Sequence, residues 1–225
     1  MLTTEELNTT FQKVGNDFGF KNVEAEFAPF RDVKIKWFRT SNHARFSVSD
    51  YLTTAPAGVV EDIVTGLMQR MHGEKFDGYS SETVGWMTSH SFRTENQGKY
   101  IERSRSLDID TEGTERLWGS YHRLVSEGMV PEIEDLRMFW SKGENVAKAG
   151  QSSCLMRVVI MNRRLLDSKI PSEILDYCIL YELLNVIMPF GMDNIERKKE
   201  VTTQANGFEG ADIAKRWLDQ VMMEV

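Results

Sequence analysis

Apolar residues recur at three- and four-residue steps in five stretches of the chain, and each stretch predicts a helix. From Thr3 to Phe18 the stripe is Leu7, Phe11, Val14 and Phe18, with Thr3 or Thr4 as N-cap. Ala55-Pro56-Ala57 opens the second helix, which runs to Met71 on Val60, Ile63, Val64, Leu67 and Met71 and closes at Gly73. The third spans Thr114 to Glu127 on Leu117, Tyr121 and Leu124, with Gly128 as its stop. The fourth, Pro171 to Met188, is apolar almost all round, which predicts burial on most sides, and Ser172 or Ser168 is its candidate cap. The last, Gly210 to Met222, turns Ile213, Trp217, Leu218 and Val221 inward.

Period-two alternation marks the strands. Val23, Ala25 and Phe27, then Val33, Ile35 and Trp37, then Arg45 to Ser49 predict a small antiparallel sheet with one solvated face. Leu136, Met138 and Trp140 alternate in a second sheet, and the apolar run Cys154 to Met161 predicts its central strand. Ala147 to Ser153, between them, is small and polar and reads as flexible. Residues 74–98 form an ordered excursion with turns at Tyr79-Ser80-Ser81 and Asn96-Gln97-Gly98. The fold class is α+β: one domain over 1–225, with an N-terminal sheet and helices over 1–107 and a core over 108–225.

Composition narrows the function. A net charge of -7 argues against a general nucleic-acid or anionic-membrane partner. No apolar run reaches the ~20 residues of a membrane span, and the first residues lack the basic-then-apolar order of a signal peptide. A cytoplasmic protein is expected, with Cys154 and Cys178 as reduced, buried thiols. The 12 Met are expected mostly in the core, and the 5 Trp as core anchors. The four His (His43, His72, His90, His122) show no local metal-site spacing.

The chemistry gathers on the fourth helix. Tyr181 and Asn185 stand four residues apart on one face with Glu182 beside them. That is the spacing of the His-Glu-x-x-His metallopeptidase helix, where two His bind zinc and the Glu is general base. Here the Glu is present and both His are replaced. A carboxylate on so apolar a helix must be paired, hydrogen-bonded or protonated.

The helix Leu175-Asp176-Tyr177-Cys178-Ile179-Leu180-Tyr181-Glu182-Leu183-Leu184-Asn185, the closing Phe208-Glu209-Gly210…Ala214-Lys215-Arg216-Trp217-Leu218 and the upstream Asp50-Tyr51-Leu52…Ala55-Pro56 resemble the SprT-like zinc metallopeptidase domains. The resemblance is to archaeal members described as predicted metal-dependent hydrolases, and it touches most of the chain. It implies a zincin-like fold, with a small sheet packed on the buried helix that carries Glu182. It also implies a third ligand downstream, at Arg197, or at Gly191 or Gln204. Tyr, Asn and Arg are poor zinc donors beside imidazole, thiolate and carboxylate.

The expectation is therefore a pseudoenzyme: a degenerate metallopeptidase-like protein, without cofactor, acting as a binding or scaffold protein. Glu182 and Tyr181 are relic catalytic positions. Glu182 is expected to be buried and bonded to Arg197, which replaces the metal's charge, or to Tyr181, with Asn185 completing the bonding. A partner, if an extended peptide, would add to a sheet edge near Met138 and Trp140, and trimming Met138 would then weaken binding without unfolding. Two other readings stay open. One is a zinc or other metal-dependent hydrolase whose rearranged ligand set draws on Cys178, His122 or His90. The other is an unrelated α+β interaction domain. Oligomeric state is not legible.

Overall fold

The first helix begins where its sequence can satisfy its own orphan amides. Thr3 Oγ1 accepts from the Glu6 amide and the Glu6 carboxylate accepts from the Thr3 amide, a reciprocal capping box. The computed structural model describes residues 1–109, 113–144 and 148–223, with side chains to 220. The chain divides into two compact units, 1–103 and 104–225, and each has its own sheet.

The first unit runs α1 (Thr4–Asp17), β1 (Asn22–Ala28), β2 (Ile35–Arg39), β3 (His43–Ser49), a short 3-10 turn, α2 (Ala57–Met71), α3 (Ser81–Met87) and α4 (His90–Arg103). Its sheet has the order β1-β3-β2. β1 and β3 are parallel, so the sheet is mixed and not antiparallel as the alternation suggests. Alternation fixes which face is buried, and strand direction leaves no trace in it. Phe11 of α1 packs on Phe46 of β3. The edge strand β2 leaves Trp37 46% and Phe38 65% exposed, so Trp37 is not the core anchor its pattern predicts. α2 buries Met68 in place of the expected Leu67, and Gly73 follows its end with φ +73°. Asn96-Gln97-Gly98 is not a turn. Phe92, Asn96 and Tyr100 form a buried helical stripe in α4, and the Asn96 amide bonds back to the Phe92 carbonyl.

The second unit runs β4 (Leu107–Asp108), α5 (Thr114–Ser126), β5 (Arg137–Ser141), β6 (Gly150–Ser153), β7 (Val158–Met161), a 3-10 turn, α6 (Ser172–Ile187), α7 (Asn194–Ala205) and α8 (Ala211–Met223). Its sheet has the order β4-β5-β7-β6, with β5 and β7 parallel and the outer pairs antiparallel. The central strand is therefore β7, shorter than the apolar run that announces it. Cys154 to Arg157 turn the chain between β6 and β7, and Leu155 and Met156 are buried within that turn. The segment that reads as flexible ends in β6 (its residue 147 lies outside the described residues).

The polar stretch after Pro189 is the helix α7, capped by Asp193, and buries only Val201 and Ala205. In α8 the inward residues are Ala211 and Ala214, with Trp217 and Leu218 half-buried. Ile213, one position off that stripe, is exposed, and the Val221 side chain lies outside the described residues. α6 carries no side-chain cap: Pro171 is its N-cap, so neither Ser172 nor Ser168 serves.

Candidate functional site

Register decides what faces α6. Met138 and Trp140 of β5 pair with Val159 and Met161 of β7, which pair in turn with Ser152 and Gly150 of β6. All six therefore lie on one side of the sheet, the side that packs on α6. Met138 and Trp140 are buried there, in the apolar cluster with Leu175, Ile179 and Leu183. Both are core residues, and the sheet edge beside the cleft-facing side of α6 is β6. The peptide edge placed at Met138 and Trp140 is thereby corrected. β7 flanks β5 on one side, and the two-residue β4 covers the other only at Trp140 and Ser141. What removes Met138 and Trp140 as peptide contacts is the burial of their side chains against α6.

At the β6 edge the inward positions are small, and α6 comes close. A Cβ on Gly150 would lie 2.9 Å from the Glu182 Cγ and 3.0 Å from the Met161 Sδ, so only glycine fits without displacement. Next on the same face, the Ser152 hydroxyl donates to the Glu182 carboxylate at 2.6 Å. Burial raises the Glu182 carboxyl above its ordinary value, against smaller opposite effects of Ser152 and of the Lys148 charge. Glu182 is thus hydrogen-bonded, by a residue outside the expected set, and it is half-buried where burial was expected.

Arg197 does something else. From α7 its guanidinium donates to the carbonyls of Asn185 (3.2 Å) and Pro189 (2.7 Å), which flank the end of α6. It forms no ion pair with Glu182. A cation on the last carbonyls of a helix satisfies orphan acceptors and meets the negative end of the dipole. Asn185 donates to the Tyr181 carbonyl one turn back, and Tyr181 makes no hydrogen bond to Glu182 among the described residues. Of the alternatives for the third position, Gly191 lies just past α6 with φ +85°. Gln204 bonds Glu200 on the exposed side of α7.

A cleft of about 700 Å³ opens over this helix between β6, α6, α7 and α8. Tyr177, Cys178, Tyr181, Glu182 and Asn185 line it from α6, at helical spacing. Lys148 to Ser152 form one wall, and Lys198, Lys215, Leu218 and Asp219 the other. Asn162 holds the wall in place, its amide and side chain donating to the carbonyls of Ala149 and Lys148. Behind the site, Arg123 of α5 makes a two-pronged ion pair with the buried Asp176 of α6, at 3.0 and 2.7 Å.

These residues do not fit a zinc ion. Asn185 offers only a weak neutral amide oxygen, Arg197 brings a positive charge, and the buried Cys178 thiol is pushed up to about 12, far from the thiolate zinc requires. No His lines the cleft among the described residues. Its Cys178, Glu182 and Asp219 do not converge on a common point. His122 stacks on Trp118 and Tyr121 from an exposed position on α5, and His90 belongs to the first unit. Ser152, Gly150 and Lys148 are what sequence reasoning missed. The alternation of Gly150 and Ser152 in a short polar run was the available signal.

No family model, curated protein or solved structure matches the chain. No described helix is long and apolar enough to cross a membrane.

Proposed function

We propose that this chain is a non-catalytic binding or scaffold protein on a degenerate, zincin-like metallopeptidase frame, and that its cleft holds an extended peptide or protein segment. The observation that carries this is the fate of the catalytic position. Glu182 is hydrogen-bonded to Ser152 and held toward its neutral form, while the flanking Asn185 and the downstream Arg197 are committed to helix backbone. In a metallopeptidase the general base deprotonates a zinc-bound water, and these side chains offer no donor set to hold the zinc. Two further features support the reading. The sheet lies on α6 with β5 beside β7, and the strand beside the cleft, β6, is the last of the sheet, the position at which an added strand pairs.

Metal analysis of the purified protein, after zinc is added and the excess removed, tests this together with a peptide-hydrolysis assay. Substoichiometric metal and no hydrolysis are expected. Stoichiometric zinc, or hydrolysis lost in Glu182→Gln, would replace this reading with that of a hydrolase with a rearranged ligand set.

A further inference from the structure

The cleft does not share the charge of the chain. The sequence carries 27 Lys and Arg against 34 Asp and Glu. Around the cleft that balance reverses: Lys148 ahead of β6, Lys198 on α7 and Lys215 on α8 line it with one exposed carboxylate, Asp219. Lys148 and Lys198 are exposed, and neither forms an ion pair among the described residues. Lys215 hydrogen-bonds Asn206 and lies 3.8 Å from Asp212, so its charge is partly offset. The second carboxyl in the lining, Glu182, is turned onto Ser152, so the lining counts three lysines against two carboxyls.

Three cations on separate elements thus converge on one concave surface of an otherwise acidic protein. We propose that the segment this cleft takes is acidic: an extended peptide whose Asp and Glu side chains meet Lys148, Lys198 and Lys215. The proposal names the partner class for the binding reading above and rests on it. Charge-assisted hydrogen bonds from three ammonium groups would fix the segment and favour it over neutral ones. The negative field of the rest of the chain would repel acidic partners elsewhere, which makes the cleft selective.

The test is fluorescence anisotropy on the full chain with three labelled, unstructured peptides of one length. One is rich in Asp and Glu, one carries Asn and Gln at the same positions, and one carries Lys there. The acidic peptide is expected to bind about tenfold or more tighter than its amide counterpart at low salt, with the preference fading as salt rises. Lys148→Glu with Lys198→Glu should abolish the preference. Lys199→Glu, an exposed neighbour outside the cleft, should change it by no more than about twofold. Both lysines replaced are exposed, and circular dichroism checks that the variants fold. Equal affinity for acidic and amide peptides would overturn the charge assignment and leave the binding reading standing. Failure of all three to bind would remove both. An acidic preference untouched by the double reversal would put the contact elsewhere and also overturn the proposal.

Discussion

At Glu182 a single hydrogen bond and a single missing side chain decide the chemistry. Burial raises the carboxyl above its ordinary 4.5, so the folded state binds its proton more tightly than the unfolded chain does. The sign follows: this contribution to stability is full below about 4.5 and is lost as pH rises through the raised value. Glu182→Gln keeps an oxygen for Ser152 and cannot ionise. Its stability relative to the parent should be near zero at low pH and become positive as pH rises toward neutral. Urea titrations across that range check it, and a pH-independent difference would contradict the assignment. Ser152→Ala acts in the opposite sense. It removes the donor that favours the ionised carboxylate, so it should cost about 1–2 kcal/mol at neutral pH and less in acid. Gly150→Ala tests the close approach directly. With Glu182 Cγ and Met161 Sδ both at about 3 Å from the added methyl, one of those side chains must move, at about 1–3 kcal/mol in the same assay.

α6 is held at two points that its own sequence does not announce. Arg197 covers the carbonyls at its end, and Arg123 meets Asp176 near its start. Arg197→Ala should destabilise by about 1 kcal/mol and leave the pH dependence due to Glu182 intact, which separates capping from charge compensation. Arg123→Ala strands a buried carboxylate. A loss of about 2 kcal/mol is expected, below that of a fully buried pair because the guanidinium is half-exposed. Helices were legible here because burial repeats at their period, as in Leu117, Tyr121 and Leu124. Glu182 was legible as a carboxyl in need of a partner because most of α6 is apolar; it is half-buried, at the wall of the cleft. The pairing partners were not. Asn96 looks like a turn former until Phe92 and Tyr100 fix it in α4, and Cys154 looks like strand because the turn it opens buries Leu155 and Met156 just ahead of β7. Ser152 lies 30 positions from Glu182, and only the β6–β7 register brings it there. Local periodicity carries no information about register between strands.

For the molecule as a whole, the site is contained in one unit. Every element around the cleft belongs to residues 104–225, and so does the apolar cluster from Leu117 to Leu218 beneath it. The sheet β4-β5-β7-β6 closes its ladder within the same span. A hydrophobic core that draws on no residue outside a segment is the requirement for that segment to fold alone. The fragment 104–225 should therefore unfold cooperatively and keep the near-ultraviolet signal of the fully buried Trp140. Its stability should also keep the pH dependence assigned to Glu182, because the carboxyl, Ser152 and Lys148 all travel with it. Thermal and urea unfolding of the fragment, followed by near-ultraviolet circular dichroism at two pH values, measures both. A fragment with helical signal but no fixed aromatic environment would show that residues 1–103 are required to set the packing of α6. In that case the position of Glu182 against Ser152 would depend on more of the chain than the elements that touch it.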